Sequence, residues 1–246
     1  MKFRAIVKAA TMLVFTMIFG NSLQADVALP KIFGNDMVLQ RGQKVPVWGW
    51  ADAGEKVTVK FDGQSVSTKA GQSGKWQVEL APLTVGDPRT LTVEGKNTIT
   101  LENVLVGEVW LCSGQSNMEY GVGALKDAKK EIADANHPNI RLFFVPRTIA
   151  PLPSDDLPKV CQWRVCTPQN IKKGSRGNDG FSGTAYYYGR ELHKKLGVPV
   201  GIIQSAWDGT PIEPWTTIDG LKSVPEVEKI HNHAVKANRD YQNKIK

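Results

Sequence analysis

Short apolar runs that alternate with polar residues dominate the chain from Asp26 to about Asn103. Val45-Pro-Val-Trp-Gly-Trp50 runs up to a turn at Asp52-Ala-Gly54. Lys56–Phe61 alternates with period two and stops at Asp62-Gly63. Trp76–Leu80 follows Ser73-Gly74, and Arg89–Val93 ends at Glu94-Gly95. A two-residue period sends successive side chains to opposite faces, so these runs read as half-buried strands divided by turns. Strands at this spacing predict a small all-β sandwich over residues 26–103.

From Val104 the period changes. Val104–Leu111 is a continuous apolar run, the pattern of a buried strand, and it breaks at Ser113-Gly114. Leu125–Ala135 is a helix candidate and Ile140–Val145 a strand. An irregular stretch from Pro146 to Gly180 follows, extended around Cys161–Cys166. Gly183–Leu196 predicts an amphipathic helix with Tyr188, Leu192 and Leu196 on one face and Gly197 at the C′ position. Val198–Ile203 is a further strand, and a polar helix runs from Val224. Strands alternating with helices predict a parallel α/β sheet. Three core strands in about 140 residues fall short of the four or more that a parallel sheet covered on both faces usually has. Residues 104–246 therefore read as an incomplete domain, and the chain as the front portion of a longer protein.

Residues 1–25 carry another signal. Lys2, Arg4 and Lys8 precede an apolar stretch from Ala9 to Gly20 that is short for a membrane span, and Leu23-Gln24-Ala25 offers a cleavage site. This predicts an exported protein, periplasmic, cell-surface or extracellular, with no membrane segment once the leader is removed. The net charge of +7 includes the three leader cations, so the remainder carries about +4. Its charges are interspersed, with only short pairs such as Lys129-Lys130 and Lys194-Lys195, which argues for a solvated surface and against nucleic acid as a partner. Of the three cysteines, Cys161 and Cys166 are five apart on an extended segment and point to opposite faces, so no local bridge is expected. Cys112 reads as a buried free thiol.

The chemistry concentrates at two places. Ser116 opens a polar segment just after the Val104–Leu111 strand, in Ser113-Gly-Gln-Ser-Asn-Met-Glu119. A serine at such a turn has backbone N–H groups beside it, the arrangement that holds a nucleophilic hydroxyl next to donors for an oxyanion. Gln115 and Asn117 can fix the turn through side-chain hydrogen bonds. The same Ser116 would also serve as an ordinary helix N-cap. The second place is Ser205-Ala-Trp-Asp-Gly-Thr-Pro-Ile-Glu-Pro-Trp215. If the strands are parallel, this segment leaves the same carboxyl edge as Ser116, where α/β sheets bind ligands. Gly209 lets a backbone N–H approach a substrate, and Trp207 and Trp215 offer a sugar-stacking wall or, alternatively, core packing.

No histidine suits the serine. His137, three residues after Asp134, lies at the amino edge of the sheet, one strand length or roughly 15–20 Å from Ser116. That is beyond the reach of a general base. His193 falls late in its helix, toward the same wrong edge, and His231 and His233 are two apart and share no helical face. No metal cluster is visible, and no cofactor is called for.

With Ser116 and Gly209 placed, the chain resembles the sialate O-acetylesterase family of the SGNH hydrolase superfamily over nearly all of its mature length. Leu29–Arg41 with Val45–Trp50 resembles the family's N-terminal β-domain, and Gly107–Met118 its nucleophile block. Phe181–Tyr186, Gly197–Gly201 and Trp207–Glu213 resemble its second block. The resemblance implies a partial SGNH-like α/β domain after the sandwich and an esterase acting on O-acetylated carbohydrate, of sialic acid or xylan type. It implies Ser116 as nucleophile and the N–H groups of Ser116 and Gly209 in an oxyanion hole. Two departures stand out. The family pattern Trp-Gly-Gly-Thr is Trp207-Asp208-Gly209-Thr210 here, and a carboxylate is unfavourable beside a developing oxyanion unless it points away. The family's later Gln-Gly-Glu block and Asp/His block have no counterpart before Lys246. The alternative reading is a non-catalytic sugar-binding remnant that uses Trp48, Trp50 and Trp76.

Overall fold

The computed structural model describes residues 26–149, 153–157, 160–174 and 179–244. The leader expected at residues 1–25 lies outside them.

Among the described residues, ten strands and five short to medium helices are formed. In chain order the strands are β1 (Val38–Gln40), β2 (Val45–Trp50), β3 (Lys56–Phe61), β4 (Gln64–Lys69), β5 (Lys75–Leu80), β6 (Arg89–Glu94) and β7 (Thr98–Gly114). After α1 (Ser116–Glu119) and α2 (Ala128–Ala133) come β8 (His137–Phe144) and β9 (Trp163–Cys166). The chain continues through α3 (Gly183–Leu196), β10 (Val200–Ala206), α4 (Ile218–Lys222) and α5 (Glu228–Lys244).

The alternating runs become strands whose apolar positions face inward. Val57, Val59 and Phe61 of β3, Trp76, Val78 and Leu80 of β5, and Leu91 and Val93 of β6 are all buried in one core. The pair β2–β5 forms a small antiparallel sheet, and it shares that core with the larger one. β4 is polar throughout apart from Val66, and its pattern does not announce it. It forms because Asp62 (φ 51°) and Gly63 (φ 74°) make a two-residue hairpin with both residues left-handed, which returns the chain along β3 with Gln64 opposite Phe61.

One eight-stranded mixed sheet runs through the molecule in the order β4-β3-β6-β7-β10-β8-β9, with β1 added alongside β7. The position 103/104, expected to separate two domains, falls inside β7. The first part of that strand pairs antiparallel with β6, and the second pairs parallel with β1 and β10. Asn103 sits at the changeover with φ 55°. Arg141 of β8, 3 % exposed, holds this joint. Its guanidinium donates to the carbonyls of Asp36 and Asn103 and to their side-chain oxygens. Asp36 is itself left-handed (φ 65°), so one buried cation fixes two strained turns.

The three strands expected in the second half, β7, β10 and β8, are mutually parallel. The sheet is not purely parallel, because β9 adds to β8 antiparallel within the stretch expected to be irregular. α3 matches its predicted limits. The Ser182 hydroxyl caps its start by accepting from the Ala185 N–H, and Gly197 (φ 66°) closes it. Its buried face is not the expected one. Gly183, Ala185, Tyr186 and Gly189 pack inward, and Gly189 brings the helix backbone against Ile202 of β10, where a Cβ would meet Ile202 Cδ1 at 2.2 Å. Tyr188 and Leu196 are left exposed, with Tyr188 edge-on to Trp110 of β7. Glycine is required at the point of closest approach, where Gly189 meets Ile202, while the large Tyr186 is fully buried beside it.

Candidate active site

Parallel pairing sets the geometry of the site. β7 and β10 end together, with Ser113 opposite Ser205 and Gly114 opposite Ala206, so the segments after both strands leave one rim. The Trp207 N–H then donates to the Gly114 carbonyl at 3.0 Å, extending the pairing by one bond. Gly114 has φ 146°, a backbone state suited to glycine, and it turns the chain from strand into α1. Gln115 caps α1 with its side chain, which accepts from the Ser116 N–H. Its Oε1 also lies 2.7 Å from Ser116 Oγ. Asn117 contributes its backbone carbonyl, which accepts from the Thr184 hydroxyl of α3 at 2.9 Å. Gln115, Ser116 and Asn117 are all exposed.

The unexpected neighbour is Asp208. Its carboxylate does not point away: Ser116 Oγ donates to Asp208 Oδ1 at 2.6 Å. Behind it stands Glu119, the last residue of α1 and 1 % exposed. Glu119 Oε2 accepts from the Asp208 N–H at 2.5 Å, and Glu119 Oε1 is ion-paired with Arg147. Arg147 follows β8 at the same rim, and its guanidinium lies 5.7 Å from the Trp207 ring centre. A carboxylate this buried is stable as an anion only when paired and hydrogen-bonded, and this network does both.

Trp207 is half-buried beneath Arg147, and Trp215 is exposed, so neither tryptophan is a core residue. Trp215 Nε1 donates to Thr210 Oγ1 at 2.8 Å, and Thr210 Oγ1 donates to the Trp207 carbonyl at 2.7 Å. Gly209 is exposed at the tip with φ 72°. Beside the serine lies an open cleft of about 290 Å3 lined by Ser113, Gly114, Gln115, Thr210, Ile212 and Trp215, among others.

The histidines are elsewhere. His137 begins β8 at the far end from Phe144, and its ring faces the Tyr186 hydroxyl at 3.2 Å. Burial first, then Arg190 nearby, pushes its pKa down. His193 Nδ1 bonds the Val198 carbonyl before β10 begins. His231 and His233 lie on α5. Among the described residues no group of three or more metal-ligating side chains occurs. Cys112, Cys161 and Cys166 are all free thiols, and burial pushes Cys166 up to about 12.

Sequence reasoning brought Ser116, Gln115, Asn117, Trp207, Gly209 and Trp215 to one rim. It missed the roles of Glu119 and Arg147. Glu119 had a signal, an acid one turn after the serine on a helix whose other side must pack. Arg147, in an irregular stretch, had none.

No protein-family model matches this chain. Sialate O-acetylesterases do: the rat protein is 37 % identical over 204 residues and the human one 36 % over 203, each covering 77 % of this chain. The chain is a homologue of the sialate O-acetylesterases. It spans 37 % of the rat protein's length and 38 % of the human one's. A crystal structure of a carbohydrate acetylesterase from Xanthomonas citri superposes with a TM-score of 0.73 at 35 % identity, covering 79 % of this chain and 43 % of that one. These relatives are named as esterases.

Proposed function

We propose that this chain is the nucleophile-bearing front portion of an exported carbohydrate O-acetylesterase. Ser116 attacks the acetyl carbonyl of an O-acetylated sugar, an acetyl-enzyme forms, and water releases acetate. The N–H groups of Ser116 and Gly209 face the developing oxyanion, and Trp215 flanks the sugar in the adjoining cleft. The observation that carries this reading is the convergence of the Ser116 turn and the Trp207–Gly209 bend on one rim, in a chain whose relatives are acetylesterases. By the family resemblance, an imidazole base belongs to the stretch of the relatives that this chain does not match. The leader-like residues 1–25 support export, and no described helix is long and apolar enough to cross a membrane.

The test is acetate release from O-acetylated sialic acid and from acetylated xylan, with Ser116→Ala as control. A slow, Ser116-dependent release is expected, several powers of ten below a complete esterase. Release that survives Ser116→Ala would remove the serine from the reading, and release from neither substrate would remove the sugar.

A second reading, a glycan-binding surface, draws on Trp48 and Trp50. Both are part-exposed and line a cleft of about 240 Å3 with Lys75, Gln77 and Asp155. Trp76 does not serve as a platform, because it is 3 % exposed and part of the core. Trp50→Ala on a glycan array is the discriminating variant. Flat binding by the parent chain ends this reading.

A further inference from the structure

We propose that Asp208 is the proton acceptor for Ser116 within this chain, so that the serine is served by a carboxylate. This rests on the assignment of Ser116 as nucleophile and goes beyond it.

Ser116 Oγ has two oxygen neighbours, Gln115 Oε1 at 2.7 Å and Asp208 Oδ1 at 2.6 Å. A hydroxyl carries one hydrogen and can serve only one acceptor at a time. A charged acceptor makes the stronger bond, so the hydrogen goes to Asp208. The position of Asp208 is built rather than incidental. Its backbone is held by the Glu119 carboxylate, which is buried and paired with Arg147, and Arg147 in turn covers Trp207. Glu119 from α1 and Arg147 from the segment after β8 are the charged side chains linked to Asp208 through its backbone N–H. Among the histidines, His137 and His193 are anchored at the opposite edge, where they bond Tyr186 and the Val198 carbonyl.

The charge balance answers the objection that a carboxylate opposes an oxyanion. As Ser116 Oγ bonds to the acetyl carbon, the carbonyl electron pair moves onto its oxygen and the hydroxyl proton moves to Asp208 Oδ1. Asp208 is neutral at the moment the oxyanion forms, so one negative charge has moved and none has been added. When the tetrahedral species collapses, the bond from carbon to the sugar oxygen breaks and the Asp208 proton passes to that oxygen. Water then repeats the sequence on the acetyl-serine. A carboxylate is a weaker base than imidazole, so the pair is slow, and it works at a lower pH.

The experiment measures the rate at which a fluorophosphonate probe labels Ser116 in the full chain from pH 3.5 to 8, with circular dichroism confirming the fold at each pH. The probe is no sugar ester, so labelling without acetate release counts against the proposed substrate and leaves the pair standing. Expected are Ser116-specific labelling, an acid limb below the imidazole range and a loss of about a hundredfold in Asp208→Asn. Asp208→Glu should recover part of the rate. Unlabelled Ser116, an acid limb near the imidazole value of about 6.5, or equal or faster labelling of Asp208→Asn would overturn the proposal. The pH profile of the unmodified chain decides the matter even if Asp208→Asn fails to fold.

Discussion

Glu119 and Asp208 are joined through the backbone: the Asp208 N–H donates to Glu119 Oε2 at 2.5 Å, while the other oxygen of the same carboxylate meets Arg147. One buried anion therefore ties the helix after β7 to the bend after β10 and to the segment after β8. Glu119→Ala removes the acceptor of the part-buried Asp208 N–H and one counter-charge of Arg147. The expected cost is about 1–3 kcal/mol in urea unfolding, because a part-buried N–H loses its acceptor and a partly exposed guanidinium loses one anion. The same variant should slow the labelling of Ser116. Unchanged stability would show that the pair contributes nothing net.

Gly107 tests how closely β7 approaches the turn before β10. A Cβ there would lie 2.0 Å from the Pro199 carbonyl oxygen, and that carbonyl already accepts the Glu108 N–H at 2.9 Å. Backbone cannot yield as a side-chain tip can. Gly107→Ala should destabilise by about 2 kcal/mol or more, read as a lower midpoint in urea. Gly54→Ala, at a left-handed turn with open space around it, should show only the cost of its backbone conformation, about 1 kcal/mol.

Arg141→Met keeps the aliphatic stem and removes every donor. The carbonyls of Asp36 and Asn103 would lose their partner in a buried setting. Each orphaned acceptor costs about 1–3 kcal/mol, so a loss of roughly 2–5 kcal/mol is expected, measured by thermal or urea unfolding. Amides near Asn103 should show the largest gain in hydrogen exchange.

Cys166 supplies a pH prediction. Burial raises its thiol from 9.0 to about 12. The folded state thus favours the protonated form, and its contribution is fully present below about pH 9. It declines as the pH rises toward 12, by something on the order of 4 kcal/mol over the whole window. Cys166→Ala should flatten the alkaline limb of a stability–pH curve. An identical limb in both proteins would mean that other groups set it.

The sequence pattern was most legible where one face is buried and the other is not. β2, β3, β5 and β6 follow their alternation almost residue for residue, and α3 follows its caps. β4 was hidden because an edge strand stabilised by a hairpin turn needs little apolar surface. The inward face of α3 differs from the expected one because Gly189 is needed where Ile202 of β10 approaches, which turns Tyr188 and Leu196 outward. At the site, proximity of Ser116 to Gly209 followed from strand direction alone. The Ser116–Asp208 contact did not, since it depends on the path of a bend after the last paired residue.

The 17-residue β7 is a single span of about 56 Å at the usual rise per residue. It is a shared girder: β6 grips one length of it, and β1 and β10 grip the other. A cut at 103/104 would sever the beam itself.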